Sequence, residues 1–120
     1  MAATDAVITH ARELAQRFVE AFNMRDAAAL RDLVAEDAEF RTLSGGSLRG
    51  YDGLRALLET AEQRNLRLVP FRPPTVAREG DSVRVVVPIR ELIGPDDIER
   101  TAEFEVVGAR IVAFAVRPFD

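Results

Sequence analysis

Hydrophobic residues recur at intervals of three and four through the first half of the chain, and they alternate or form runs in the second half. The first spacing is typical of amphipathic helices and predicts helices over residues 5–23, 27–35 and 52–63. A short strand is predicted over residues 38–43, followed by a Ser- and Gly-rich loop over residues 44–47. Runs rich in Val and Ile predict further strands over residues 66–78, 82–92, 98–107 and 110–118.

Capping residues and prolines indicate where these elements begin and where they are interrupted. Asp26 is the expected N-cap of the second helix, because its carboxylate can accept a bond from a first-turn N–H. Pro70, Pro73 and Pro74 remove backbone donors, so the strand over residues 66–78 is expected to be bulged or to lie at an edge. Consecutive strands joined by short turns form an antiparallel meander, and helices that precede a meander give an α+β domain. We expect one domain over residues 1–120.

Composition narrows the class of protein. A chain of 120 residues that is 48% hydrophobic can bury one core, and its net charge of −4 disfavours a binder of nucleic acid. No apolar run approaches the roughly 20 residues that span a bilayer, and the N-terminus lacks a signal-peptide pattern. The expectation is a soluble cytoplasmic domain with neither nucleic acid nor membrane as a partner.

The residue types that are absent exclude several chemistries. The chain has no Cys, and all 16 basic residues are Arg, so thiolate and Schiff-base catalysis, thiolate zinc sites and phosphate-binding P-loops are excluded. The acidic run over residues 96–99 is better explained as a hairpin turn than as a metal site. No metal or cofactor is expected, and any catalysis would depend on carboxylates, Arg, hydroxyls or backbone groups.

Three segments resemble a known superfamily. They are residues 16–23 with the Asp26, Leu30, Leu33 and Phe40 pattern that follows, residues 48–54, and residues 104–112. Together they are similar to the nuclear transport factor 2-like superfamily, in its SnoaL-like and ketosteroid-isomerase-like branch. The resemblance implies a cone of three N-terminal helices packed on a strongly curved antiparallel sheet, with an apolar pocket inside. It also implies a homodimer formed through the outer face of the sheet.

The isomerase branch of this superfamily uses a helical Tyr, a carboxylate base and a late-strand acid. An alignment without gaps places Phe18, Thr42 and Ala102 at these positions. Phe cannot donate a hydrogen bond to an oxyanion, and a Thr hydroxyl is too weak a base at neutral pH. Ketosteroid isomerisation is therefore not expected, and no catalytic residue is assigned.

Strand alternation leaves two arrangements of the pocket wall. In the preferred one, Arg84, Arg90 and Arg100 face the interior while Glu91, Glu99, Glu103 and Glu105 face outward. In the other, Val83, Val85 and Val87 face inward with Glu91 at the mouth, and the remaining Glu residues also turn inward. The preferred arrangement avoids placing several carboxylates in a small apolar cone.

The preferred arrangement gives a set of pocket candidates that combines apolar and aromatic side chains with two Arg. They are Phe18, Phe22, Phe40, Thr42, Leu58, Arg84, Val86, Arg100, Ala102, Phe114 and Val116. Guanidinium groups in such a pocket suit a ligand with an apolar body and a carboxylate or other anionic end. The structural alternative is that each Arg reaches solvent or pairs with a cross-strand Glu such as Glu91 or Glu99.

Three functional hypotheses follow. The first is a domain that binds a small hydrophobic molecule, with or without an anionic group. The second is an enzyme of cyclase, epoxide hydrolase or isomerase type that uses a pocket carboxylate and an Arg. The third is a non-catalytic dimerisation module, which predicts an apolar outer sheet face and a pocket filled by its own side chains.

Overall fold

The computed structural model describes residues 2–42 and 46–119. The helices are α1 (Ala2–Asn23), α2 (Ala27–Leu33) and α3 (Gly50–Gln63). The strands are β1 (Val34–Arg41), β2 (Ser47–Arg49), β3 (Leu66–Pro70), β4 (Thr75–Glu79), β5 (Ser82–Ile93), β6 (Asp96–Val107) and β7 (Arg110–Pro118). No helix in the described ranges is long and apolar enough to cross a membrane. The predicted loop over residues 44–47 lies partly outside the described residues, and Ser47 already belongs to β2.

One curled sheet contains the seven described strands, in the order β2-β1-β7-β6-β5-β3, with β4 paired to the other half of β5. Neighbouring strands are antiparallel except β1 and β7, which run parallel with Phe40 opposite Phe114. The α+β cone of three helices on a strongly curved sheet is confirmed, and the sheet is mixed at this one pair. As expected from its prolines, the segment 66–78 is interrupted, and it forms two short edge strands.

A few residues explain where α2 begins and ends and how closely α3 packs. Asp26 is the N-cap of α2, and its carboxylate accepts a bond from the Ala29 N–H at 3.1 Å. α2 ends earlier than predicted because Val34 is fully buried and opens β1 opposite Ile111. Gly53 lets α3 approach β2 closely, since a Cβ there would lie 2.9 Å from the Leu48 carbonyl carbon.

The core lies between α1 and the inner face of the sheet, and Phe18 is at its centre. The Phe18 ring lies 4.8 Å from that of Phe114 and 5.3 Å from that of Phe104, centroid to centroid. The largest fully buried side chains come from both helices and strands: Phe18, Phe22, Phe40, Phe104, Leu30, Leu54, Leu68, Ile89 and Ile111. These contacts fix the first helix across the concave side of the sheet.

Two polar side chains at the end of α1 bind the outer edge of β3. The Asn23 amide donates to the Leu68 carbonyl at 2.8 Å and accepts from the Leu68 N–H at 2.9 Å. Arg25, which follows the helix, donates to the carbonyls of Ala61 and Leu66. The bonds to Leu66 and Leu68 satisfy backbone groups that an edge strand would otherwise leave open, and the bond to Ala61 ties the end of α3 to the same point.

Candidate functional site

The β5–β6 hairpin determines which side chains enter the cone. Its two-residue turn at Gly94 and Pro95 pairs Ile93 directly with Asp96. Directly paired residues share a face, so odd-numbered residues of β5 lie beside even-numbered residues of β6. Val85 lies opposite Phe104, for example, and both are buried in the core.

This register combines the two sequence-based arrangements. One of them placed the even-numbered residues of both strands inside the cone, and the other placed the odd-numbered residues of both strands inside. On β6 the preferred arrangement is correct, since Arg100 faces inward and Glu99, Glu103 and Glu105 face outward. On β5 it is wrong. Arg84, Val86 and Arg90 lie on the outer face, and Glu91 lies inside. The physical reason is that burying the Val residues at odd positions of β5 is favourable, whereas burying the Arg residues at even positions would cost free energy.

The wide end of the cone contains a pocket of about 400 Å³. The C-terminal half of α3, the end of β1, the β5–β6 hairpin and β7 form its walls. The lining side chains are Phe22, Arg41, Thr42, Leu57, Thr60, Ala61, Arg64, Leu66, Leu68, Glu91, Ile93, Ile98, Arg100, Phe114 and Val116. Most of these side chains are apolar and a few are charged or polar, as is typical of small-molecule sites.

The structure brings together five of the sequence-based candidates in this pocket: Phe22, Thr42, Arg100, Phe114 and Val116. Four others are buried without lining it: Phe18, Phe40, Leu58 and Ala102. On α3 it is Leu57, one position earlier than the candidate Leu58, that contacts the cavity. Arg84 and Val86 are excluded from it by their position on the outer face.

An ion pair between Glu91 and Arg100 forms the polar end of the pocket. Arg100 Nε lies 3.3 Å from Glu91 Oε1, and the two side chains are 25% and 12% exposed. The residues are diagonal neighbours on adjacent strands, and the expected cross-strand pairing of Arg with Glu91 or Glu99 is confirmed here and at Arg90–Glu99. Among the described residues, neither terminal nitrogen of Arg100 has a protein partner.

Cations outnumber carboxylates around this end of the pocket. Arg41 is paired with Glu39, whereas Arg64 has no ion pair within residues 2–42 and 46–119. The lining therefore holds two cations, Arg64 and Arg100, against one carboxylate, Glu91. The excess positive charge favours an anionic group on a bound molecule. No cluster of His, Asp and Glu suited to a metal ion occurs in the part of the chain that the structure describes.

The outer face of the sheet carries charged pairs instead of the predicted Arg-lined pocket. Arg84 pairs with Glu79 at 3.2 Å, and Arg117 pairs with Glu103 at 2.6 Å. At the β1–β2 end of this face, Ser47 Oγ donates to Glu39 Oε2 at 2.9 Å, and this bond lowers the pKa of Glu39. Arg41 and Arg49 lower the pKa further.

A lowered pKa in the folded state means that folding favours ionised Glu39. Its contribution to stability is complete above the ordinary pKa of 4.5 and is lost as the pH falls through the lower folded value. Wild type should therefore exceed Glu39→Gln in free energy of unfolding at neutral pH, and the difference should vanish in acid. Urea unfolding between neutral pH and acid measures this, with the exposed Glu59→Gln as control. A difference that is constant across the range would contradict the assignment.

Sequence comparison identifies the family. The profile of the SnoaL-like domain matches residues 15–114 of this chain. No curated protein sequence matches it significantly.

Solved structures agree with the fold. A Mycobacterium tuberculosis protein of unknown function, Rv3472(D26N), superposes with a TM-score of 0.78 at 15% identity, covering 96% of this chain and 73% of that one. A proposed polyketide cyclase from Xanthomonas campestris gives a TM-score of 0.70 at 21% identity, covering 94% and 92%. An epoxide hydrolase from Mycobacterium tuberculosis, described as LEH-like, gives 0.68 at 20% identity, covering 94% and 84%. The profile match shows that the chain belongs to the SnoaL-like domain family, and its fold is that of the solved nuclear transport factor 2-like proteins.

Proposed function

We propose that this domain binds a small molecule with an apolar body and an anionic end in the pocket at the wide end of the cone. The main support for this proposal is the way in which the Arg100 guanidinium is bonded. Its Nε is held by Glu91, while its terminal N–H groups have no partner among the described residues. A guanidinium fixed in this way presents a planar pair of donors that matches a carboxylate or sulfonate.

The rest of the pocket suits the apolar body. Apolar side chains from α1, α3, β6 and β7 contact the cavity, namely Phe22, Leu57, Ile98 and Phe114. Its volume of about 400 Å³ lies within the range of about 300–1,000 Å³ that is usual for small-molecule sites. The third hypothesis, a pure interaction module, predicted a filled cone and an apolar outer face, and the open pocket and charged outer face argue against it. Association of two copies through the outer face stays a prediction.

Two fluorescent probes with the same aromatic body test the proposal, namely the anionic anilinonaphthalenesulfonate and the neutral phenylnaphthylamine. Because Arg100→Gln alone would leave Glu91 as an uncompensated carboxylate, the informative variant is the double Glu91→Gln/Arg100→Gln. We expect it to weaken the sulfonate probe by about tenfold, the value of a lost charge-assisted hydrogen bond, and to leave the neutral probe unchanged.

Arg84→Gln is the matched control, because Arg84 lies on the same sheet but on its outer face. It should change the affinity of neither probe. Equal loss of both probes in the double variant would indicate a collapsed pocket, and unchanged sulfonate binding would show that Arg100 does not hold the anion.

Proton transfer by Glu91 is a second candidate function, and the burial of this carboxylate in the pocket favours it. Within the described residues Glu91 has a single bond, to Arg100, so its other oxygen is available to a ligand. A carboxylate that lines an apolar cavity can come within hydrogen-bond reach of a bound molecule, which is the geometric requirement for a general base. Two relatives with the same fold carry enzyme names, a proposed polyketide cyclase and an epoxide hydrolase.

Nitrobenzisoxazole is a suitable probe of this second candidate. A base removes its ring proton, the N–O bond breaks, and a coloured cyanophenolate forms. If Glu91 acts as a base, wild type should accelerate the reaction and Glu91→Gln should lower the rate by about 100-fold or more. Equal rates for wild type, Glu91→Gln and the exposed-site control Glu59→Gln would exclude proton abstraction by Glu91 from this probe.

A further inference from the structure

A second concave site lies on the other side of β3 from the pocket. It is a groove of about 460 Å³ between α1 and the β3–β4 connection. Its floor consists of the buried side chains of Ala15, Val19, Leu68 and Val87. Leu68 is the one described residue that lines both cavities, so β3 separates them.

Two Arg residues line this groove, one on each of the two elements that form its walls. Arg12 lies on α1 and Arg67 on β3, and both side chains are exposed. Neither has an ion pair or a hydrogen bond among residues 2–42 and 46–119, whereas the Arg residues on the outer sheet face are paired with Glu or Asp. The acidic residue of the lining, Glu20, accepts a bond from Gln16 at 3.4 Å. Because Gln16 is uncharged, Glu20 keeps its negative charge, so the groove has an apolar floor and a lining of two cations and one carboxylate, with an excess of one positive charge.

The backbone of β3 excludes an extended peptide as the occupant. Strand addition needs free N–H and C=O groups along the edge. Asn23 already occupies both groups of Leu68, and Pro70 has no N–H to donate. The exposed apolar side chains at the rim, Val69 and Pro70, are also too few for a protein interface, which buries about 1,200–2,000 Å².

We infer that the groove between α1 and β3 is a second ligand site, which takes a small molecule with an apolar chain and one carboxylate. The chain lies on the floor formed by Val19, Leu68 and Val87. The carboxylate lies at the rim, where Arg12 and Arg67 supply the positive charge that attracts it. The site shares the ligand chemistry of the cone pocket but none of its charged residues, so it is independent of the function proposed there.

Amide-resolved NMR with octanoate, and with the neutral octanol as comparison, tests this inference on the whole chain. Octanoate should shift amides of α1 and β3 around Arg12 and Arg67 in a saturable manner. The double variant Arg12→Gln/Arg67→Gln should weaken binding at these amides by about tenfold or more, because each lost guanidinium removes a charge-assisted bond. Both side chains are exposed and unpaired among the described residues, so this variant should keep the wild-type spectrum.

Two controls separate the sites. Arg17→Gln removes an exposed Arg of α1 that does not line the groove, and it should leave octanoate binding unchanged. Glu91→Gln/Arg100→Gln removes the charges of the cone pocket and should leave the α1 and β3 shifts intact. Octanoate shifts confined to residues around Arg100, or no shifts at all, would overturn the second site. Shifts at α1 and β3 that persist unchanged in Arg12→Gln/Arg67→Gln would overturn its charge-based recognition.

Discussion

Replacing Arg25 with Ala is expected to lower the free energy of unfolding by about 3 kcal/mol, since several charge-assisted hydrogen bonds are lost at once. Its guanidinium donates to the Phe22 carbonyl at 2.8 Å and to the Ala61 carbonyl at 3.0 Å. It also donates to the Leu66 carbonyl and pairs with Glu62 at 3.1 Å. The side chain is only 21% exposed, so water replaces these bonds poorly. One residue thus joins the ends of α1 and α3 to the start of β3.

The backbone of Arg25 allows the lost bonds to be separated from strain. Its φ of +57° is in the left-handed region, where Gly has no steric cost and Ala does. Arg25→Gly should therefore be less destabilising than Arg25→Ala by about 1 kcal/mol. Arg55→Ala, an exposed change on α3, should stay within about 0.5 kcal/mol of wild type. Urea unfolding followed by circular dichroism measures all three, and an Arg25→Ala variant as stable as Arg55→Ala would contradict the assignment.

Phe18→Ala is expected to cost about 3–5 kcal/mol, the usual range for truncating a fully buried Phe. Its ring is 0% exposed and contacts the rings of Phe104 and Phe114. It also lies 6.3 Å from the Phe22 ring, which lines the pocket. The truncation leaves a cavity beneath the pocket wall, so it should weaken the binding of both naphthalene probes as well as lower stability.

Phe18→Leu is the matched variant, because it keeps most of the apolar volume. It should cost less than about 1.5 kcal/mol and retain probe binding. A Phe18→Ala variant that is no less stable than Phe18→Leu would show that this aromatic cluster is not the centre of the core.

Much of the fold can be predicted from the sequence, because local signals agree with tertiary packing along most of the chain. The apolar spacing in α1 and the N-cap at Asp26 are examples. Prediction of strand boundaries and strand pairing fails where contacts between residues far apart in sequence determine the structure. Val34 extends β1 backward because it is buried opposite Ile111, a residue far away in sequence. The parallel pairing of β1 with β7 has no local signature either.

The candidate site was only partly predictable. Both sequence-based arrangements assumed that residues of the same parity, odd or even, face inward on β5 and on β6. In the structure Arg100 lines the pocket, whereas Arg84 lies on the outer face. The turn at Gly94 and Pro95 was the available signal. Two residues between paired strands force odd and even positions onto one face, and this rule brings Glu91 inside with Arg100. Whether Leu57 or Leu58 contacts the cavity depends on the rotation of α3 about its own axis, and packing alone determines that rotation.

A crystal structure of the protein with anilinonaphthalenesulfonate would show directly whether Arg100 binds the anionic end of a ligand in the cone pocket. We expect the sulfonate to lie against the terminal nitrogens of Arg100, with the rings between Phe22, Leu57 and Phe114. A probe bound only on the outer sheet face or in the groove beside α1, with the cone pocket left to solvent, would contradict it.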